Sequence, residues 1–282
     1  MGMGGAFSAL ADDSNAALYN PAGLTQLQWN QLSAMYARLF SGLTLYAGED
    51  TVHLDQSYLA FASKPLPFGS LGLSWANFNT TGLYREDTVT LSYAKDAGTF
   101  IPSLQDSLSF GFNLKMLHRG ISLDSRTAND PVFSDGTSVS ALAVDAGLLL
   151  KPKDGPLAGY RFALVGKNLN QPNVGFKDMD RVPTEWRLGL AYQSQTLPWL
   201  VPDIDFTRRN GITGIHGGVE SWLFQDAIGL RAGGNKDEAS AGMSYYQPIG
   251  KNFGFRLDYG FTIPFYVQDT SGSHRIAGTV YF

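Results

Sequence analysis

From Gln31 to Phe282 the chain alternates apolar with small or polar residues, in short runs separated by turn residues. A period of two sends successive side chains to opposite faces of an extended backbone, so each run reads as a strand with one apolar face. Leu71, Leu73 and Trp75 alternate with Gly72, Ser74 and Ala76, and Val89, Leu91 and Tyr93 with Thr88, Thr90 and Ser92. The pattern recurs over 31–39, 56–63, 108–116, 142–150, 160–169, 186–192, 203–206, 214–223, 227–234, 239–246, 253–263 and 274–282. Turns are signalled by Lys153-Asp154-Gly155-Pro156, Arg209-Asn210-Gly211, Asn235-Lys236-Asp237 and Ser271-Gly272-Ser273, and Glu49-Asp50 marks a polar loop after the first run. This predicts an all-β chain of about fourteen strands, with no linker to divide it.

Alternation suits a soluble sandwich as well as a closed membrane barrel. Three features favour a closed antiparallel transmembrane β-barrel. The polar parity carries Gly, Ser, Thr and Ala with charges of both signs, namely Lys115, Asp145, Arg187, Asp205, Glu220, Arg231, Arg256 and Asp258. Small residues mixed with scattered charges suit a narrow lumen, whereas a solvated face carries more Lys and Glu. The apolar parity tends to begin or end in aromatics, such as Trp75, Tyr93, Trp186, Tyr192, Tyr245, Phe255 and Tyr259, the girdle expected where a strand crosses a membrane interface. The last strand ends on Val280, Tyr281 and Phe282, with a terminal aromatic of the kind outer-membrane barrels use as an assembly signal; Val280 and Phe282 are the residues expected to carry it.

Composition narrows the function. With 21 Lys and Arg against 25 Asp and Glu, the net charge of −4 gives no polyanion-binding signature, so no nucleic-acid partner is expected. Cysteine is absent, which removes disulfides, thiolate metal sites and a cysteine nucleophile. No apolar run is long enough for a membrane helix, which says nothing against spanning by strands. Met1-Gly2 opens without a basic start and apolar core, so the expectation is a mature chain whose leader has been removed.

Residues 1–29 differ from the rest. Gly2-Met3-Gly4-Gly5-Ala6-Phe7-Ser8-Ala9-Leu10-Ala11-Asp12-Asp13 is rich in small residues and precedes the first strand. A short helix is expected over 14–19, capped by Asp13 or Ser14 and broken at Asn20-Pro21, with a turn or one more helical turn at 21–24. The reading is a hatch of residues 1–29 inside a barrel of residues 30–282. Gly4, Gly5, Asp12, Asp13, Asn20, Pro21 and Ala22 are its candidate residues; the competing reading is an ordinary helical leader.

The Gly-Met-Gly-Gly-Ala-Phe opening, the Ala11-Asp12-Asp13 step and Asn20-Pro21-Ala22 resemble the start of the FadL-like outer-membrane proteins. Val165-Gly166-Lys167-Asn168-Leu169, Arg187 to Tyr192, His216 to Glu220, Leu230 to Gly233, Leu257 to Phe261 and Ser273 to Ile276 resemble the PorV/PorQ branch. The resemblance implies a fourteen-stranded barrel, an N-terminal hatch holding the Asn-Pro-Ala triplet, and a place in the bacterial outer membrane. It implies passage of hydrophobic or amphipathic molecules of the lipid or fatty-acid class, or a non-conducting PorV-like role docking partners in type IX-like secretion. The implied partners are outer-membrane lipid, the barrel assembly machinery, and a hydrophobic ligand or secretion components. The chain is compact, and its expected short loops leave the family's extracellular ligand groove without a counterpart.

Other chemistry is not expected. Gly2-x-Gly4 follows no strand and opens no βαβ unit, so it is not a dinucleotide loop. His216 and Glu220 share a strand face without a further ligand cluster, so no metal is expected. No Ser, His and Asp set stands out as a triad, and neither enzyme activity nor a cofactor is expected. Asp203, Asp205, Glu220, Arg231, Arg256, Asp258 and Arg275 should form cross-strand ion pairs that also hold the hatch. Structural pairing is favoured over a solute pathway for this set.

Overall fold

The computed structural model describes residues 2–43, 45–47, 50–124 and 127–282. Its strands are β1 (Gln31–Leu39), β2 (Leu45–Ala47), β3 (Asp50–Val52), β4 (Leu54–Ala62), β5 (Ser70–Thr80), β6 (Tyr84–Asp96), β7 (Leu108–Ile121) and β8 (Ser138–Leu150). They continue as β9 (Tyr160–Lys167), β10 (Glu185–Tyr192), β11 (Leu200–Arg209), β12 (Ile212–Leu223), β13 (Ile228–Asn235), β14 (Glu238–Ile249), β15 (Phe253–Pro264) and β16 (Ser273–Tyr281). β1 and β4 to β16 form one closed antiparallel barrel of fourteen strands, while β2 and β3 pair as a separate hairpin. The barrel reading therefore stands and the sandwich is excluded. Closure comes from β1, which pairs with β4 on one side and β16 on the other, Gln31 facing both Ala62 and Tyr281. Backbone pairing continues to the last residue, where Asn30 and Phe282 exchange both N–H···O bonds at 3.0 Å. A closed ladder has no unpaired edge, which is what allows strands to lie in hydrocarbon.

The parity read from the sequence sorts the two faces. Leu32, Leu59, Leu73, Leu91, Leu114, Leu142, Leu188, Phe206, Leu257 and Ile276 are exposed around the ring, whereas their neighbours Ser33, Ala60, Ser74, Thr90, Asn113, Ala143, Asp205, Asp258 and Ala277 are buried. A continuous apolar outer face of this extent is far beyond what a protein in water exposes, and it is what a membrane-spanning barrel presents to lipid. No helix among the described residues is long and apolar enough to cross a membrane. The barrel crosses with its strands.

Some boundaries differ from those expected. Asp50 opens the strand β3 instead of lying in a plain polar loop, and Glu49 lies outside the described residues. At the end away from the termini, the connections 81–83, 210–211 and 236–237 are tight, as expected of a compact chain, but 122–137 and 168–184 are long. Near its start, β9 pairs with β8 only over Ala146–Leu150, and the chain beyond β9 continues the contact as Leu169 N–H donates to Val144 O at 2.9 Å.

The outer face generates a direct test. Leu114 lies mid-strand on β7, opposite Leu91 and Val144, with half its surface exposed. An L114R substitution is expected to lower folding stability in a bilayer by about 2–4 kcal/mol. Reversible denaturant titration in lipid vesicles measures it, and a cost near zero would mean that this face does not meet hydrocarbon.

Candidate functional site

Before β1 the chain makes a short helix α1 (Ala16–Tyr19) and a single 3₁₀ stretch, Pro21–Gln26. The helix starts later than its expected position. Asn15 occupies the cap position without a side-chain cap bond, because Asp13 Oδ1 accepts from Asn15 N–H at 2.8 Å and the Ser14 hydroxyl bonds Ser33 at 2.6 Å. The wall has taken the Ser14 hydroxyl, while Asp13 keeps its bond to the Asn15 N–H just ahead of the helix. Asn20 ends the helix and starts the 3₁₀ stretch: its N–H donates to Ala16 O at 2.8 Å, and its Oδ1 accepts from Ala22 N–H at 3.1 Å. Pro21 follows where no N–H is needed.

Residues 2–27 lie against the inward faces of strands around the ring, and three groups of ties hold them. The first is on β10 to β14. Asp205 Oδ2 accepts from Ser8 Oγ at 2.6 Å, Ser8 N–H at 3.2 Å and Phe7 N–H at 3.3 Å, while Asp203 Oδ2 accepts from Leu10 N–H at 3.3 Å. Arg187 sits 3.4 Å from the same Asp205 oxygen and donates to Gly5 O at 3.2 Å. Gly4 N–H donates to Ser240 Oγ at 2.7 Å, and Asn235 donates to Gly4 O at 3.1 Å. His216 Nδ1 lies 2.9 Å from the same carbonyl oxygen. This part of the segment thus hangs on a wall carboxylate by its own N–H groups, an arrangement that favours negative charge opposite successive amides.

The second group joins Asp13 to Arg256 at 2.9 Å. Arg256 also bonds Asp258 at 2.9 Å, Arg231 lies 3.7 Å from Asp258 and pairs with Glu220, and Ser244 bridges Arg231 and Asp258. Arg231 stacks over Trp222 and Arg256 over Tyr281. Burial pushes the Asp13 carboxyl up, but the charge and hydrogen bond of Arg256 outweigh it and hold the group below the usual aspartate range.

The third group receives the end of α1. Asn113 donates to Ala17 O at 2.8 Å and Lys167 to Leu18 O at 2.6 Å, satisfying carbonyls that a helix end leaves without partners. Asn113 is itself held by Asp145 at 3.0 Å, and Lys115 pairs with Asp145 at 2.6 Å. Asn20 Nδ2 reaches across to Leu148 O and back to Ser8 O, both at 3.1 Å.

Glycines in the wall let the backbones meet. A Cβ at Gly233 would lie 2.3 Å from the Met3 carbonyl carbon, one at Gly111 2.4 Å from Ala22 N, and one at Gly147 2.2 Å from Asn20 Oδ1. In strand interiors such glycines mark close approach of another backbone. Gly4 and Gly5 of the segment have φ of +61° and +91°, the left-handed region where a side chain is strained, and a Cβ at Gly4 would fall 2.1 Å from Gly234 N. Apolar contact is modest: Met3, Ala9 and Leu10 pack with Ala163, Ala191 and Val201, and Ala11, Ala16, Leu24 and Leu27 with Ala62 and Ala94.

The sequence-selected charges Lys115, Asp145, Arg187, Asp205, Glu220, Arg231, Arg256 and Asp258 all sit in these networks. Among the described residues Asp203 has no ion pair within 4.0 Å, and Arg275 donates to the Thr262 hydroxyl at 2.9 Å instead of pairing with an acid. Asp12 is only 3.9 Å from Arg161, a residue outside the selected set. Asn113, Lys167, Asn235 and Ser240 were also missed. Their signal was present, as polar residues at inward parity, but nothing in the sequence told them from other lumen positions.

The segment leaves space on both sides. Towards the termini lies a cavity of about 590 Å³, lined by Leu10, Trp29, Lys151, Arg161 and Trp199 among others. Towards the long loops lie cavities of about 370 and 440 Å³, the first bordered by Ala17, Leu18, Arg119, Lys167 and Val174, the second by Arg187, Arg209 and His216.

No protein-family model and no curated protein matches the sequence. Solved structures do match in fold. A TodX deltaS2S3 mutant monoaromatic hydrocarbon channel aligns with TM-score 0.63 at 12% identity, over 99% of this chain and 98% of that one. The CymD monoaromatic hydrocarbon channel aligns with TM-score 0.61 at 11% identity, over 99% and 96%. A Pseudomonas aeruginosa FadL homologue aligns with TM-score 0.58 at 13% identity, over 98% and 95%. The chain has the FadL-type barrel fold.

Two measurements probe the ties. D205N keeps the shape but removes the charge that three donors of the segment and Arg187 share, and it is expected to cost about 1.5–3 kcal/mol locally. Hydrogen exchange should then quicken roughly ten- to hundred-fold at the amides of residues 7–10, with the strands unchanged. The Asp13–Arg256 tie, with its carboxyl depressed, contributes fully above the unfolded aspartate pKa of about 3.9 and is lost as pH falls through the lower folded value. Exchange near residue 13 should therefore not vary with this pair between about pH 5 and 8 and should quicken only in acid; R256Q should remove that acid step.

Proposed function

We propose that residues 1–29 are a hatch in a barrel of residues 30–282, and that the protein lies in a bacterial outer membrane and passes small hydrophobic or amphipathic molecules around this hatch. The observation that carries the reading is the divided lumen. Cavities lie on both sides of a segment that is held by hydrogen bonds and ion pairs more than by apolar burial. Polar ties can be exchanged for water or for a ligand's own polar groups, whereas an apolar core would hold the segment shut. The solved structures of this fold include the hydrocarbon channels CymD and TodX, which supports the class of cargo. The end with the long connections 122–137 and 168–184 faces outside, following the rule of short inner turns and longer outer loops. Val280 and Phe282 engage the assembly machinery, and lipid covers the outer face.

A lock tests this. Ser14 Oγ and Ser33 Oγ are 2.6 Å apart, close to the about 2.0 Å of a disulfide, and the chain has no cysteine to interfere. In S14C/S33C, oxidation should lower uptake of a hydrophobic probe to the level of cells lacking the protein, and reductant should restore it. Uptake that is equal in both states overturns passage around a moving hatch.

A second reading is a non-conducting, PorV-like accessory that docks secretion components. The density of ties on the segment favours it, since each wall sector holds it at least once. It requires no uptake in either redox state, together with crosslinks to secretion partners or cargo; uptake that responds to the lock removes it.

A further inference from the structure

Two cations, Lys151 and Arg161, line the cavity at the terminal end, and among the described residues only Arg161 of the two meets a hatch residue, Asp12 at 3.9 Å. The β8–β9 register ends at Leu150 opposite Phe162, and Lys151 and Arg161 are the next residues of the two chains beyond that last pair. Both follow the inward parity, and both line the cavity of about 590 Å³ as well as an adjoining one of about 320 Å³. Like charges side by side at the end of a strand pair repel and destabilise the sheet, and an anion between them would offset this.

The protein supplies little of one. Among the described residues the Lys151 ammonium makes no hydrogen bond and no ion pair within 4.0 Å. Arg161 donates to Gln193 Oε1 at 2.8 Å, and its nearest carboxylate is that of Asp12, at 3.9 Å. The other acids lining the cavity do not reach the pair: Glu220 is taken by Arg231, and Asp226 lies in the turn after β12. Burial first, and then the Arg161 guanidinium, hold the Lys151 ammonium below the ordinary lysine range, while Asp106, Asp96 and Asp12, all beyond ion-pair distance, offset this only in part. Arg256, also on the cavity wall, is spent on Asp13 and Asp258.

Aromatic and apolar side chains make up part of the remaining wall, beside Gln26, Gln28, Gln31 and Gln193. Trp29, Trp199, Leu10 and Val201 line the same cavity, and among the described residues no cation lies on the ring of Trp29 or Trp199, unlike Trp222 and Tyr281. A volume of several hundred Å³ with aromatic faces and a few convergent polar groups is the usual form of a small-molecule site. Guanidinium and ammonium together match a carboxylate, and free indole faces match a ring.

We propose that Lys151 and Arg161 bind the carboxylate of an aromatic acid whose ring lies against Trp29 and Trp199, on the terminal side of the hatch. This deepens the passage reading by naming what the inner cavity receives, and it rests on that reading only for the direction of travel. Asp12 is the internal competitor, since its carboxylate approaches Arg161 where the ligand's would lie. Ligand binding thus draws on the same hatch residue that faces the inner cavity.

Benzoate titrated into the purified full-length barrel tests the site, with tryptophan fluorescence as the readout. Saturable binding is expected, weakened about tenfold or more in K151Q/R161Q, since each charge-assisted bond lost is worth at least that factor. Toluene, the same ring without the carboxylate, should bind at least about tenfold more weakly than benzoate by the same reasoning, and inorganic phosphate should not compete at equal concentration. D12N should tighten benzoate binding, and this holds as a test even if the double variant fails to fold. The proposal is overturned by non-saturable benzoate binding, by unchanged affinity in K151Q/R161Q, by toluene binding as tightly, or by phosphate competing equally. Benzoate binding is read without flux, so its absence alongside lock-sensitive uptake removes this site alone. Lock-insensitive uptake alongside benzoate binding removes the passage reading alone.

Discussion

Everything inside this barrel depends on the exchange of hydrogen bonds between the N-terminal segment and the inward side chains of the wall. A barrel of fourteen strands encloses more space than its own small inward residues fill, and the polar groups there cannot all be left to disordered water. The segment solves both problems at once. Its backbone donors meet Asp203, Asp205 and Ser240, and its helix-end carbonyls meet Asn113 and Lys167. Each side satisfies groups that the other would otherwise leave buried and unpaired, so neither the lumen nor the segment is complete alone.

Charge is distributed to suit this. The wall carries acids where the segment presents N–H groups and bases where it presents carboxylate or carbonyl oxygens. Arg256 faces Asp13, Lys167 faces Leu18 O, and Asp205 faces the amides of Phe7 and Ser8. The remaining charges pair within the wall, as Lys115 does with Asp145 and Arg231 with Glu220. Such pairs offset the cost of charges in a confined space without adding much net stability, because desolvation consumes most of the Coulombic gain. Among the described residues Lys151 departs from this scheme, having no acid within 4.0 Å, and the proposed anion site of the inner cavity starts from that departure.

Much of the fold was legible. The run of alternating residues from Gln31 to Tyr281 disclosed the strands, because a half-lipid, half-lumen environment repeats with the pleat. The apolar parity at Leu73, Leu91, Leu114 and Leu257 is the outward face. Less legible were the features set by long-range contact. Of the two expected caps, Asp13 bonds the Asn15 N–H, but Ser14 does not cap because Ser33 of the wall claims its hydroxyl. The hairpin of β2 and β3 was missed because two three-residue strands are too short for a period to show. Of the site, the charged wall residues and the Asn-Pro-Ala bend could be picked out, while Asn113, Lys167 and Ser240 looked like any other lumen positions.

By itself the sequence determined that this is an all-β chain with one face for lipid and one for a narrow polar interior, since the period of two and the chemistry of each parity are local properties. It also set apart the first 29 residues as unlike the rest. Only the tertiary structure decided which wall residue holds which point of that segment, where the cavities lie, and that Lys151 and Arg161 line the same one. Those depend on register and ring closure, which are set by pairings between strands and between chain ends hundreds of residues apart, and no local pattern encodes a distance of that kind.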